Sequence, residues 1–232
     1  SINSYNLTIN YKFSDGSIAS EKYTDTKNYL EFYSVKSPKI LGYTPTRTLV
    51  YGTMDAEDRE ENVIYNANTY KLTVHYKYSD GTRAARDKVV SVKYKDTYTV
   101  NSPELTGYTA DQAVVTGTMG PNNADVTVTY TANIYNLTVH YVYSDGTKAA
   151  EDYTGKVAYK AAYNVSSPTL TGYTPSQAAF KGTMGAADVE VTVIYSTNSY
   201  DLTVHYVYSD GTKAAEDYTG KVNYNSTYTV NS

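Results

Sequence analysis

The chain has 232 residues, 41% of them hydrophobic and 19% charged, a balance that belongs to folded rather than disordered proteins. A net charge of −4 excludes the clustered Lys/Arg footprint of a nucleic-acid binder and offers no attraction to anionic membranes or sialylated glycans. The absence of cysteine excludes disulfides and thiolate chemistry.

The unusual entry in the composition is tyrosine, with 29 Tyr against 3 Phe and no Trp. A core made this way takes its volume from rings whose hydroxyls each need water or a hydrogen bond, which suits small modules. No apolar run approaches the roughly 18 residues of a membrane span, and no signal peptide opens the chain. A soluble fragment with no membrane insertion is expected.

Self-similarity organises everything else. Tyr5-Asn6-Leu7-Thr8 recurs as Tyr70-Lys71-Leu72-Thr73, Tyr135-Asn136-Leu137-Thr138 and Tyr200-Asp201-Leu202-Thr203, each step being 65 residues. Ser-Asp-Gly keeps the same step at Asp15, Asp80, Asp145 and Asp210, Gly-Tyr-Thr at Gly42, Gly107 and Gly172, and Gly-Thr-Met at Gly52, Gly117 and Gly182. The array divides into repeat 1 (1–69), repeat 2 (70–134), repeat 3 (135–199) and a partial repeat 4 (200–232). Repeats 3 and 4 differ at 7 of 33 positions over 135–167 and 200–232. The fourth copy stops at Ser232, before the position of Pro38, Pro103 and Pro168, and reads as a truncation rather than a natural terminus.

Within repeat 3, Tyr135, Leu137, Val139, Tyr141 and Tyr143 alternate with Asn136, Thr138, His140 and Val142, the period-two pattern of a half-buried strand. Ser144-Asp145-Gly146-Thr147 supplies a tight turn, and a second strand from about Ala149 to Tyr153 completes a hairpin. Residues 155–163 are the one weak helical candidate; otherwise Tyr159, Tyr163 and Val165 continue at even spacing until Pro168. Gly172-Tyr173 forms a turn with an anchoring ring, and Val189, Val191, Val193 and Tyr195 put a closing strand on one face. Ser196-Thr197-Asn198-Ser199 reads as a four-residue polar connector. The fold expected is all-β: one small sheet per repeat curling on itself, with repeats held end to end as an elongated rod.

The chemistry-bearing residues are few. His75, His140 and His205 occupy one equivalent position per repeat on the polar face of the first strand, so no two share a metal within a repeat, and no metal or cofactor site is read. Asp145 and its equivalents are explained by Asp-Gly turn geometry rather than by calcium, although calcium between repeats stays open. Asp55 to Glu61, an acidic run confined to repeat 1, reads as a solvated loop. Tyrosine is the better suspect, because sugar C–H faces stack on aromatic rings. Tyr29/Tyr33, Tyr94/Tyr98 and Tyr159/Tyr163, with Tyr224/Tyr228 after them, form a pair in every copy, and even spacing on a strand puts both rings on one face. These are the candidate ligand-binding residues, weighed against a packing role within the domain. No paired carboxylates, nucleophile-base pair or phosphate-cradling loop appears, so no enzyme is expected.

The order of landmarks resembles the MucBP (mucin-binding protein) repeat of Gram-positive surface adhesins. The matching residues in repeat 3 are Leu137-Thr138-Val139-His140-Tyr141, Asp145-Gly146, Thr154-Gly155-Lys156-Val157, Gly172-Tyr173-Thr174 and Val189-Glu190-Val191-Thr192-Val193-Ile194-Tyr195. The resemblance covers essentially the whole chain, though repeat 1 departs at Asn10 and Thr24-Asp25-Thr26 and repeat 2 at Val89-Val90-Ser91. It implies β-grasp-like or otherwise all-β modules on an extracellular, cell-wall-anchored protein, some of them binding mucin glycans. Two readings stand side by side: an adhesin repeat region serving mainly as a stalk between neighbouring repeats, and dedicated modules that themselves hold host mucin or other glycans. Intramolecular isopeptide bonds stay open.

Overall fold

Period-two alternation dominates every repeat, and the protein answers it with strands alone. The computed structural model describes residues 3–231, among which there is no helix, and so none long and apolar enough to cross a membrane. The chain divides into two compact units, Ser1–Glu104 with Ala110–Thr131, and Leu105–Thr109 with Ala132–Ser232.

Repeat 1 comprises β1 (Ser4–Phe13), β2 (Ile18–Asn28), β3 (Phe32–Lys36), β4 (Tyr43–Pro45), β5 (Leu49–Thr53) and β6 (Arg59–Ala67). β1 lies centrally, antiparallel to β2 and parallel to β6, and β4 closes antiparallel on β6, giving the order β2-β1-β6-β4. A parallel pair cannot be joined by a tight turn, so the chain must cross over between β2 and β6. The crossover here is not a helix: β3 and β5 pair with each other as a separate two-stranded ribbon. First and last strands parallel at the centre make the module β-grasp-like, with a ribbon in the crossover.

Repeat 3 has the same plan in β13 (Ile134–Tyr143), β14 (Lys148–Ala158), β15 (Ala162–Ser166), β16 (Tyr173–Pro175), β17 (Ala179–Thr183) and β18 (Val189–Thr197). Repeat 2 runs through β7 (Thr69–Tyr78), β8 (Lys88–Lys93), β9 (Thr97–Asn101), β10 (Tyr108–Ala110), β11 (Val114–Thr118) and β12 (Ala124–Ala132), with β12 parallel to β7 and β9 paired to β11. The partial repeat contributes a hairpin, β19 (Ser199–Val204) with β20 (Tyr218–Asn223).

The core lies between sheet and ribbon. In repeat 1 Leu7, Ile9 and Tyr11 from β1 and Val63 and Tyr65 from β6 meet Tyr33, Val50 and Met54, all buried. The corresponding cluster of repeat 3 is Leu137, Val139, Tyr141, Val165, Met184, Val193 and Tyr195. Each fully buried apolar side chain contributes about 1.5–3 kcal/mol relative to exposure. Three core tyrosine hydroxyls are met at the rim. Tyr65 donates to the Pro38 carbonyl at 2.6 Å, and Tyr130 and Tyr195 donate to Pro103 and Pro168 at 2.5 Å. The proline that ends each ribbon strand therefore also presents the acceptor for a core ring.

Four sequence expectations are corrected. The second strand does not stop near Tyr153: β14 runs to Ala158, because the ladder with β13 continues through Leu137↔Gly155 to Ile134↔Ala158. That pairing also removes the helical candidate at 155–163, whose first residues are strand and whose centre is a turn. The connectors are one residue long, not four: Asn68 alone separates β6 from β7, and Asn198 alone separates β18 from β19. The acidic run of repeat 1 is only partly a loop. Arg59 opens β6 and bonds Asp55 and Glu61, each at 2.9 Å, while Asp58 accepts the Asn6 backbone N–H at 2.7 Å.

The core tyrosines separate volume from hydrogen bonding. Tyr195→Phe, which loses the bond to Pro168 and keeps the ring, is expected to cost about 1 kcal/mol, and Tyr195→Ala about 3–5 kcal/mol. Denaturant unfolding of the two variants measures the difference; equal losses would show that the hydroxyl and not the ring holds the site.

Candidate functional site

The paired tyrosines are the sequence-nominated site, and the protein places their two members on different elements. β2 ends at Asn28 and β3 begins at Phe32, so Tyr29 lies in the turn between them while Tyr33 lies within β3. The same division separates Tyr94 from Tyr98 in β9, and Tyr159 from Tyr163 in β15. Even spacing assigns a common face only along one continuous strand, and here a turn intervenes. The expectation of a shared face is corrected accordingly.

The second ring of each pair faces inward. Tyr33, 2% exposed, opposes Gly52 across the ribbon, and a Cβ built on that glycine would fall 2.6 Å from the ring hydroxyl. Tyr98 and Tyr163 lie in the same way against Gly117 and Gly182, partly buried. The glycine of each Gly-Thr-Met landmark is thus a close-approach glycine, kept small so that a ring can cover its backbone. Burial raises the Tyr33 hydroxyl above its ordinary pKa, and among the described residues that hydroxyl has no hydrogen-bond partner.

The first ring reaches the previous repeat. In the first unit Tyr94 lies against Gly42, and any Cβ there would enter the ring. Gly42 also has φ +80°, so both conformation and space demand glycine. Tyr94 meets Tyr43 edge-on, centroids 5.5 Å apart, an arrangement worth about 0.5–1.5 kcal/mol beyond area burial. Asn68 stitches the backbone. Its N–H donates to the Gly42 carbonyl at 2.8 Å, its carbonyl accepts the Tyr94 N–H at 2.8 Å, and its Oδ1 accepts the Thr44 hydroxyl at 2.6 Å. Lys95 adds its ammonium 6.0 Å from the Tyr43 ring and 5.6 Å from the Tyr94 ring. Its φ is +69°, a strained value for a side-chain-bearing residue, held by an N–H bond to the Met119 carbonyl at 2.9 Å.

The second unit builds the junction twice more. Tyr159 lies on Gly107 and edge-on to Tyr108 at 5.4 Å, with Asn133 and Lys160 in the roles of Asn68 and Lys95. Tyr224 lies on Gly172 and meets Tyr173 at 5.8 Å, with Asn198 bonded to the Gly172 carbonyl and the Thr174 hydroxyl. Gly-Tyr-Thr, expected as a corner within its own repeat, is a socket for the next. Tyr29, with no such socket over it, is 48% exposed. The sequence reading missed this pairing, although a glycine and a tyrosine that both recur without a length change in every repeat carry its signal.

Each histidine pairs with an acidic side chain, and that of repeat 3 ties three strands together. His140 Nδ1 lies 2.7 Å from Asp152 and Nε2 2.7 Å from Glu190, joining β14, β13 and β18. His75 pairs with Asp87 at 2.8 Å and His205 with Asp217 at 2.7 Å, and in repeat 1 Asn10 bonds Glu60 at 2.6 Å instead. Among the described residues no group of three or more His, Cys, Asp or Glu is arranged to hold a metal. Asp145 accepts the Thr147 N–H at 2.9 Å and its hydroxyl at 2.6 Å, which is turn geometry.

Two carboxylates can both accept from one ring only when the imidazole is protonated. Glu190 first, then Asp152, raises the His140 pKa above its ordinary 6.5. Because the folded value is the higher one, the tie contributes stability that is fully present below the unfolded pKa and is lost as pH rises through the folded value. An NMR titration is expected to place His140 above 6.5 and to lower it in Glu190→Gln; an unchanged midpoint in that variant refutes the tie.

Comparison with known proteins agrees with this architecture. The family model described as the MucBP domain matches residues 6–66, 71–131, 136–196 and 201–232. Internalin J of Listeria monocytogenes serotype 4b (strain F2365) is 31% identical over 169 residues, spanning 68% of this chain and 18% of that protein. Internalin I of the same strain is 24% identical over 204 residues, spanning 83% of this chain and 11% of its own length. The chain thus spans less than a fifth of the relatives it matches. Among solved structures, the Bacillus anthracis TIE protein has a TM-score of 0.50 at 12% identity, covering 84% of this chain and 51% of that one, a likeness of fold alone. Four matched segments, in register with the sheet, ribbon and glycine sockets described above, show that the chain belongs to the MucBP domain family.

Proposed function

We propose that this chain is the repeat region of a bacterial cell-surface adhesin, carried outside the cell and tethered to its wall, and that its own job is spacing. It performs no catalysis. The observation that carries the reading is the junction: Tyr94, Tyr159 and Tyr224 each cover the glycine of the preceding repeat, and one asparagine per junction ties the two backbones. A linker of one residue has no length in which to flex, and the ring, the lysine and the asparagine oppose rotation about it. A spacer needs this property, because flexible joints shorten the mean reach of a chain of modules.

Direct binding of mucin or other glycans is the second reading, and one feature of repeat 1 favours it. On the outer face of its ribbon Phe32, Leu49 and Tyr51 are exposed, with Ser34 opposite Tyr51 and Lys36 opposite Leu49. Repeats 2 and 3 carry Thr97, Val114 and Thr116, and Ala162, Ala179 and Lys181, at those positions. Exposed ring faces suit sugar C–H stacking, and on this reading repeat 1 binds while its neighbours space. Of the six candidate tyrosines, Tyr29 is the one left outward to share in such contact; the other five serve as packing.

Small-angle scattering tests the spacer. Tyr94→Ala with Tyr159→Ala removes two rings and leaves every core intact, so the maximum dimension should shrink while strand content is kept; an unchanged particle would sink the reading. For the glycan reading, Phe32→Ser with Tyr51→Ser should abolish retention of the intact chain on immobilised mucin, whereas Thr97→Ala with Thr116→Ala should not. If the wild-type chain is not retained at all, binding by these repeats is refuted.

A further inference from the structure

Repeat 1 carries the docking half of a junction, left uncovered by the described residues. Asn3, Tyr29 and Leu30 stand where Asn68, Tyr94 and Lys95 stand one repeat later. The backbone is already in the docked form: the Tyr29 N–H donates to the Asn3 carbonyl at 2.9 Å, and Leu30 has φ +62° with its N–H on the Met54 carbonyl at 2.9 Å. Only the cover differs. Tyr29 is 48% and Leu30 64% exposed, and Asn3 is exposed, whereas Tyr94, Tyr159, Tyr224, Asn68, Asn133 and Asn198 are all partly buried.

We propose that Asn3, Tyr29 and Leu30 form a preorganised docking face for the free Gly-Tyr-Thr corner of a further MucBP-type module. The three occupied junctions define what fits. The occupant needs a left-handed glycine under the Tyr29 ring, with its carbonyl accepting the Asn3 N–H. A tyrosine must follow to meet Tyr29 edge-on, and then a threonine hydroxyl within reach of Asn3 Oδ1. Leu30 replaces the lysine of the next two repeats, so an aliphatic side chain would lie on the corner tyrosine where an ammonium lies elsewhere. That junction should therefore respond less to salt. The corners at Gly42, Gly107 and Gly172 already hold Tyr94, Tyr159 and Tyr224, so a second copy of these residues has no free corner to offer. The occupant is a different module. A preformed backbone lowers the ordering cost of docking.

The inference rests on the junction reading, and one experiment separates the two. Residues 134–197 are placed before Asn3 in exchange for residues 1–2, so that the joint reads Ser196-Thr197-Asn3-Ser4-Tyr5, matching Ser196-Thr197-Asn198-Ser199-Tyr200. Tetranitromethane labels accessible tyrosines, and peptide mapping reads Tyr29 against Tyr94. In the parent chain Tyr29 should be nitrated faster than Tyr94; in the extended chain its rate should fall to that of Tyr94. Gly172→Leu within the added module should restore the fast rate. Tyr29→Ala should lower the unfolding midpoint of the extended chain and leave that of the parent unchanged. Tyr29 nitrated equally fast with and without the added module, while Tyr94 stays protected, overturns the proposal alone. Tyr94 nitrated as fast as Tyr29 in the parent overturns the junction reading and the proposal with it.

Discussion

A tyrosine ring resting on a glycine backbone is the contact from which both the module and the array are assembled. Repeats 2 and 3 make it twice, once inside and once across the boundary, through two tyrosines divided by a turn. In each case a side chain as small as alanine would occupy the space of the ring. Glycine in a strand or corner is ordinarily a weak point, because it adds backbone entropy and buries nothing. Covering it with a ring replaces the missing side chain with a larger one supplied from elsewhere. The cost of glycine is local, while the burial it permits joins distant parts of the chain.

The same economy explains a core rich in tyrosine. A module of this size has little interior, so every large side chain ends near the rim. There the phenolic hydroxyl finds the carbonyl of the proline that stops the ribbon strand, as Tyr65, Tyr130 and Tyr195 do. Phenylalanine would fill the space and leave those carbonyls without a donor. Tyr33 differs: among the described residues its buried hydroxyl has no partner, and its ring lies against Gly52. Packing outweighs satisfaction at that one point.

Much of this was legible in the residues alone. The repeat length, the strands built on Leu137, Val139 and Tyr141 and on Val189, Val191 and Val193, the Asp145 turn and the outward position of His140 all follow from period and local chemistry. What escaped was everything long-range. Alternation reports which face a residue takes relative to its own strand and says nothing of which strand comes next, so Thr154 to Val157 looked like a new segment when they prolong β14. The polar connector looked four residues long because Ser, Thr and Asn are turn formers, yet all but Asn198 are absorbed into ladders. The tyrosine pair looked like one surface because sequence spacing does not reveal that Tyr159 and Tyr163 are divided by a turn. The family resemblance supplied the module and not the joint, since the joint belongs to no single module.

The parallel pairing of β1 with β6 has a mechanical consequence. The chain enters a module at the start of one strand and leaves at the end of its immediate neighbour, which runs the same way. Tension applied along the chain therefore pulls the two strands past each other, and the ladder bonds from Leu7↔Arg59 to Phe13↔Tyr65 carry the load in shear together, instead of opening one after another like a zip. Because a single asparagine hands the path from β6 to β7, the load passes from one such clamp to the next with little slack to take up. Modules joined in this way and placed under tension would hang on rows of backbone hydrogen bonds loaded in their strongest direction.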